Sequence, residues 1–372
     1  MATIVMAGGG TGGHVMPLLA VARELKADGH ESVFIGTRRG FEAKLVPSAG
    51  FPLEFIDIGG LNRVGLWRKV RSLAQLPLSV WRSRQLLEKH HASAVFSLGG
   101  YAAGPVVLAA LWKQSPLVVM EPNAMPGLTN RKIGRWVRRA LLSFPDAARF
   151  FPPGKSEVTG LPVRAEFFRI SPKRRDAKLT ILITGGSQGS RTLNEAARAS
   201  WRYFRENRVP VRFIHQTGTA AYESLAQKFS ECGLEGDVSA FIDDMPAAFA
   251  RADLVICRAG AGAVAELAAA GKPSILVPLP TAADQHQLRN AEAFQKAGTS
   301  VLVLDAEMDG GRLFEEVEKL RARPELLDRM GERARAFAHP DAACRAASVL
   351  EDLIGQTQSG IDNPHESRNN TI

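Results

Sequence analysis

Short apolar runs that end in glycine recur along the chain. Thr3-Ile4-Val5-Met6-Ala7 runs into Gly8-Gly9-Gly10, Ala94-Val95-Phe96-Ser97-Leu98 into Gly99-Gly100, and Leu179 to Thr184 into Gly185-Gly186. Continuous rather than alternating apolar runs mark strands covered on both faces, the habit of parallel sheets. Glu31 to Ile35, Pro116 to Met120, Arg212 to His215, Leu254 to Cys257 and Ser274 to Val277 read as further strands. Helical patterns lie among them: Met16 to about Ala27, 104–112, and Arg191 onward. This alternation predicts an α/β fold with right-handed crossovers.

The pattern starts afresh at Leu179. Before it, segment 160–178 holds Pro162, Pro172 and seven charged residues after Arg164, a linker composition. A chain of 372 residues also exceeds what one hydrophobic core fills, about 250–300 residues. Two Rossmann-like domains are therefore expected, at 1–160 and 165–340. A helix at 341–354 should pack back on the first, and the polar tail 355–372 should be disordered.

Charge sharpens the division. Residues 1–160 carry 20 Lys and Arg against 10 acidic residues, whereas the remaining 212 carry 27 against 28. The whole excess of +9 thus lies in the first half, which points to an anionic partner. Segment 61–91 interleaves Arg63, Arg68, Lys69, Arg71, Arg82, Arg84 and Lys89 with Leu66, Trp67, Leu78 and Trp81, and Pro77 is expected to interrupt any single helix there. Residues 131–139 add a second basic stretch around Trp136. Basic residues beside tryptophan suit an anionic membrane surface. The other reading is a helix with one face in the core and its charges solvated. No recognised nucleic-acid motif or stacking platform appears, so nucleic acid is not expected.

Cys232, Cys257 and Cys344 form no CxxC pair and suggest neither disulfides nor a zinc site. The N-terminus runs straight into glycines and does not read as a signal peptide. The longest uncharged apolar stretch, Tyr101 to Trp112, is too short for a bilayer, which takes roughly 20 residues.

The glycine loops carry the chemistry. Gly8-Gly9-Gly10-Thr11-Gly12-Gly13-His14 follows a strand and opens a helix, where close backbone approach and free N–H groups favour phosphate. It matches G-x-G-x-x-G through Gly8, Gly10 and Gly13, and Arg38-Arg39 could serve an NADP 2′-phosphate, so an oxidoreductase is one reading. Glycine loops in both halves favour a ligand shared by two domains instead.

The ordered set of these loops resembles the MurG family of peptidoglycan glycosyltransferases. Gly9 to His14, Gly99-Gly100-Tyr101 and Gly185-Gly186-Ser187-Gln188-Gly189 match its three glycine segments. Glu121-Pro122-Asn123, Pro126-Gly127, Thr129-Asn130, Leu161-Pro162-Val163-Arg164, Phe241-Ile242-Asp243-Asp244-Met245 and Asp284-Gln285-His286-Gln287 match others, over about residues 3–350. One departure is Met120-Glu121-Pro122-Asn123, where the family often has His-Glu-Gln-Asn.

The resemblance implies a GT-B fold, two Rossmann-like domains with parallel sheets facing across a cleft. It implies transfer of N-acetylglucosamine (GlcNAc) from UDP-GlcNAc to the muramyl C4 hydroxyl of lipid I, giving lipid II with inversion. No cofactor and no metal are implied. The donor contacts it implies are Thr11, Gly12, Gly13, Asn123, Arg164, Ser187, Ile242, His286 and Gln287. To these it adds the backbone of Ala261, Gly262, Ala263, Val264 and Ala265, and Glu266 on the ribose. Gly99, Gly100 and Tyr101 lie on the acceptor side. His14 is the candidate general base, its ordinary pKa near ~6.5 suiting neutral pH, with Glu121 as the second candidate. The expected setting is the cytoplasmic face of a bacterial membrane, held peripherally, with other cell-wall synthesis proteins as candidate partners. A related transferase with another lipid acceptor, such as diacylglycerol, or a sugar-nucleotide binder without turnover would share the donor residues.

Overall fold

The computed structural model describes residues 1–9, 12–59, 66–173 and 176–358. The chain divides into two compact units. One comprises Met1–Pro122, Pro126–Pro162 and Asp341 onward, the other Asn123–Met125 and Val163–Pro340. The tripeptide 123–125 thus belongs with the second half of the chain, which no break drawn near residue 160 could anticipate.

The first unit holds seven strands: β1 Thr3–Gly8, β2 Glu31–Gly36, β3 Leu53–Phe55, β4 Ala94–Gly99, β5 Leu117–Glu121, β6 Arg139–Leu142 and β7 Ser156–Val158. They pair in parallel in the order β3-β2-β1-β4-β5-β6-β7. The runs are apolar because both faces of the sheet are covered. Val5, Ala7, Ile35, Val95 and Val119 sit in one core with Val106 and Ala110 of the helix Ala103–Trp112. The last helix, Ala342–Gln358, packs on the first, Gly12–Ala27, and runs four residues beyond 354. Arg345 forks onto Glu157 of β7 at 2.6 and 2.9 Å, tying that helix to the sheet edge.

Pro77 does not break its segment. One helix runs from Leu66 to Lys89 with the proline inside. Proline removes the N–H that would bond four residues back, at a cost of about 3 kcal/mol. The helix packs along the helix Ala103–Trp112, with Leu86 and Leu87 in the same core as Val106. Next to the defect, the buried Ser79 hydroxyl lies 2.6 Å from the Asp57 carbonyl and 2.9 Å from that of Gln75. Ser83 donates to the Ser79 carbonyl one turn on. Local hydroxyls and tertiary packing thus override the local breaker.

The second unit holds β8 Leu179–Thr184, β9 Val211–Gln216, β10 Glu235–Ser239, β11 Leu254–Cys257, β12 Ser274–Leu276 and β13 Ser300–Leu302, parallel in the order β10-β9-β8-β11-β12-β13. Ile181, Ile183, Phe204, Phe213, Leu254 and Ile256 lie in its core. Burying each such side chain is worth roughly 1.5–3 kcal/mol. In both units the order reverses direction beside the first strand, between β1 and β4 and between β8 and β11. At such a switch point the following loops diverge and leave room for a ligand.

Candidate functional site

The second unit builds its site on the loops after β8 and β11. After β11, Arg258-Ala259-Gly260 leads into the helix Ala261–Ala270. Gly260 is extended at φ −65° and ψ 147° and supplies no side-chain cap. The first helical bond runs from Val264 N–H to the Gly260 carbonyl, so the N–H groups of Ala261, Gly262 and Ala263 have no partner within the helix. A Cβ added at Gly260 or Gly262 would meet nothing within 4 Å. The helix start is therefore open, with the positive end of its dipole and three donors available to an anion. Arg258 fixes the approach to it. Its guanidinium donates to the Val277 carbonyl at 3.1 Å and to Asp305 at 2.5 Å, and Asp305 accepts in turn from the Thr192 hydroxyl at 3.1 Å.

Glu266 stands two turns into this helix. Burial pushes its carboxyl up to about 7 against the opposing pull of the Arg164 guanidinium. A carboxylate this short of solvation gains from hydroxyl donors that reach it.

After β8, the loop Gly185–Gly189 is held by the buried Gln216 at the end of β9. Its amide nitrogen donates to the Gly186 carbonyl at 2.9 Å and to the Thr184 hydroxyl at 3.2 Å. Its oxygen accepts the Ile242 N–H at 2.9 Å. The Ile242 N–H is therefore taken within the protein. Gly189, at φ 73°, could carry no side chain, since a Cβ would lie 2.0 Å from the Thr217 carbonyl. Ser187 is exposed at the tip of the loop. Asp244 caps the helix Met245–Arg251 by accepting from Ala247 N–H at 2.9 Å, as its place at a helix start implies.

Gln287 lies in the first turn of the helix His286–Lys296, and its amide oxygen accepts the Leu279 N–H at 2.9 Å. The Nδ1 of His286 is 2.7 Å from the Ala283 carbonyl. A carbonyl can only accept, so Nδ1 carries the proton and Nε2 is the acceptor of the neutral ring. The turn before them is unusual: Asp284 and Gln285 both adopt left-handed backbone, at φ 50° and 54°. Such conformations cost on the order of 1–3 kcal/mol each and collect where a binding loop is shaped. Asn123 joins this unit, its amide oxygen accepting from Asn290 at 3.1 Å.

In the first unit, Gly99 and Gly100 are left-handed, at φ 79° and 82°. A Cβ at Gly100 would lie 3.3 Å from the Gly9 carbonyl and 3.9 Å from the His14 ring, so the loop after β4 rests directly beside His14. Glu42 is fully buried here and accepts the N–H and hydroxyl of Thr37, both at 2.9 Å. With its proton given to Glu42, Thr37 receives the Tyr101 hydroxyl at 3.3 Å. A Cβ at Gly9 or Gly40 would collide with the Glu42 carboxylate at 2.5 and 2.0 Å. Gly9 thus leaves the space that the Glu42 carboxylate occupies. Gly12 and Gly13 open the first helix; Thr11 and Gly10 lie outside the described residues.

Glu121, the second candidate base, is engaged within its own turn. It is buried at the end of β5, and its carboxylate accepts from the Gly127 N–H at 3.1 Å and from the Asn130 amide at 2.9 Å. It shapes the 122–130 turn. Gln216, Glu42 and Asn290 escaped the sequence reading, since nothing in the local pattern shows that these polar residues are buried. The signal available was that a polar residue at a buried strand end must have a partner.

On the outer side of the first unit, Leu78, Trp81, Leu108 and Trp112 are exposed, the two tryptophans by 50% and 58%. The Arg84 guanidinium lies 4.5 Å above the Trp112 ring, and Arg135 3.9 Å above exposed Trp136. Arg63 lies outside the described residues, as do the side chains of 66–73. Among the described residues no helix is long and apolar enough to cross a membrane.

Residues 4–142 match the glycosyltransferase family 28 N-terminal domain and 180–346 its C-terminal domain. The UDP-N-acetylglucosamine–N-acetylmuramyl-(pentapeptide) pyrophosphoryl-undecaprenol N-acetylglucosamine transferase of Solibacter usitatus is 58% identical over 352 residues, 95% of this chain and 96% of that one. The enzyme of the same name from Anaeromyxobacter sp. is 41% identical over 94% and 93%. The crystal structure of Acinetobacter baumannii MurG superposes with a TM-score of 0.80 at 31% identity, covering 95% of this chain and all of that one.

The raised carboxyl of Glu266 has a thermodynamic consequence. Its folded value lies above the unfolded one of 4.5, so stability present below 4.5 is lost as pH rises through about 7. Glu266→Gln mimics the protonated form. It should raise Tm by a few degrees at pH 8 and by much less at pH 5 in circular-dichroism melts. An equal shift at both values would contradict the assignment.

Proposed function

The chain belongs to glycosyltransferase family 28 and within it to the MurG group, and from that membership we infer that it moves GlcNAc from UDP-GlcNAc to lipid I in peptidoglycan synthesis. The observation that carries this is the 58% identity to a transferase of that name over nearly the full length of both chains. The dinucleotide reading loses its ground, because the family is a glycosyltransferase one.

The residues take these roles in our proposal. The open N–H groups of Ala261, Gly262 and Ala263, continued by Val264 and Ala265, bind the diphosphate. They stabilise the charge that develops on UDP as the anomeric bond breaks. Glu266, ionised when the ribose hydroxyls reach it, accepts both, with Arg164 beside it as a counter-charge. The Ile242 carbonyl accepts from the uracil imide, and Ser187 lies along the phosphates. Asn123 and Gln287 hold the sugar hydroxyls. Gln287 is held by its oxygen and so offers its amino group, while His286 offers Nε2. Thr11, Gly12 and Gly13 complete the donor contacts.

On the acceptor side, Gly99, Gly100 and Tyr101 line the approach of the muramyl group. His14 takes the proton from the C4 hydroxyl as its oxygen attacks the anomeric carbon from the face opposite UDP, which inverts that centre. Glu121, committed to Gly127 and Asn130, positions the turn. A lipid-linked acceptor requires a membrane surface. Leu78, Trp81 and Trp112, with Arg84 over the Trp112 ring and Arg82 and Lys113 next to the tryptophans in sequence, supply apolar anchors and charge for an anionic leaflet. We place the protein peripherally on the cytoplasmic face, where other cell-wall synthesis proteins are its neighbours.

Purified protein given UDP-GlcNAc and a short-chain lipid I analogue should release UDP and form a disaccharide product. Diacylglycerol in place of lipid I should yield none; the reverse would reassign the acceptor. In the same assay His14→Ala should lower kcat about 10²–10⁴-fold with UDP-GlcNAc affinity nearly unchanged. Vesicles rich in phosphatidylglycerol should sediment the protein and release it as salt rises, and Trp81→Ala with Trp112→Ala should weaken that binding severalfold. Equal binding to phosphatidylcholine at all salt concentrations would remove the electrostatic component.

A further inference from the structure

Asn290, one turn into the helix His286–Lys296, is completely buried, and every polar atom of its side chain is used. Its oxygen accepts the Ala124 N–H at 2.8 Å. Its amino group donates to the Asn123 amide oxygen and to the Ala259 carbonyl, both at 3.1 Å. One amide therefore joins three segments: its own helix, the tripeptide 123–125, and the loop that leads into Ala261–Ala270. All three belong to the second unit.

Only an amide satisfies this arrangement. One partner is a donor and two are acceptors, so the group at 290 must present an acceptor to one side and two N–H bonds to the other. Aspartate would set an oxygen against two oxygens, and an apolar residue would take this partner from the N–H of buried Ala124 and the carbonyl of buried Ala259. The bond to Asn123 has a further effect. Holding the Asn123 oxygen turns the amino group of Asn123 to the opposite side, which settles an orientation that a free asparagine could take either way.

We propose that Asn290 is a positioning residue of the sugar subsite, which fixes Asn123 so that it meets a hydroxyl of the donor sugar as a hydrogen-bond donor. This rests on the donor-site reading above. Asn290 is not itself a sugar contact. Its bond to Ala259 does not make it a diphosphate residue either, because Arg258 holds that loop independently through Val277 and Asp305. The effect of losing Asn290 should therefore fall on the sugar and spare UDP.

Calorimetric titration of UDP and of UDP-GlcNAc into wild type, Asn123→Ala, Asn290→Ala and the double variant separates the possibilities. Asn290→Ala should weaken UDP-GlcNAc about tenfold and UDP by less than about threefold. In the Asn123→Ala background it should weaken UDP-GlcNAc no further, since residues acting as one unit are not additive. Equal losses for both nucleotides, or additive effects of the two substitutions, would overturn the positioning role. Should Asn290→Ala fail to fold, Asn290→Asp keeps the volume and should turn the Asn123 amide over, with the same loss confined to the sugar; an unchanged ratio of the two affinities overturns the proposal. Wild-type protein that bound neither nucleotide would sink the donor-site reading, and this inference with it. Normal wild-type binding with an unaltered variant ratio would sink this inference alone.

Discussion

All strands in each sheet run the same way, and the rest of the molecule follows from that. Parallel strands can be joined only by crossovers, so each strand hands the chain to a loop on one edge of the sheet and a helix returns it. The candidate residues sit on that edge because nothing else in the fold gathers so many chain ends. His14 follows β1, Gly99 to Tyr101 end β4 or follow it, Ser187 follows β8, and Glu266 lies in the helix after β11. Where the strand order reverses, neighbouring loops part and leave helix N-termini without protein partners. The open start of Ala261–Ala270 is a case of that geometry meeting small residues that leave it uncovered.

The sequence disclosed this framework well, because its signals are local. Unbroken apolar runs stopped by glycine locate the strands and their loops, and the restart at Leu179 separates the halves. The MurG resemblance and the α/β reading both agree with the matched family and its solved relative. What stayed hidden depends on partners far apart in the chain. Gln216 reads as a polar end to an apolar strand until Gly186 and Ile242 arrive beside it. Glu121 reads as a second candidate base from the sequence, while its burial and its bonds to Gly127 and Asn130 emerge only in the folded turn. Pro77 looked like a breaker because propensity is local, while the packing that carries the helix through it is tertiary.

The two units also differ in electrostatic character. The surplus of positive charge falls in the first half of the sequence, where exposed tryptophans lie under guanidinium groups. The second half is nearly neutral and spends its charges locally, in pairs such as Arg258 with Asp305 and Lys173 with Asp253. An anionic nucleotide is met there by backbone N–H groups, whose orientation is fixed by a helix, rather than by a broad positive field. Such a site recognises the position of a phosphate more than its charge.

The placement of residues 123–125 within the second unit bears on how such chains can be recombined. A chimera spliced near residue 162 would take Asn123 from one parent and Asn290 from the other. The two halves could each fold and still bring together an asparagine and a helix that never evolved side by side. Exchange of halves among relatives is therefore constrained by three residues carried on the far side of the splice. A graft that moved them together with 163–340 would preserve the pairing that a simple cut destroys.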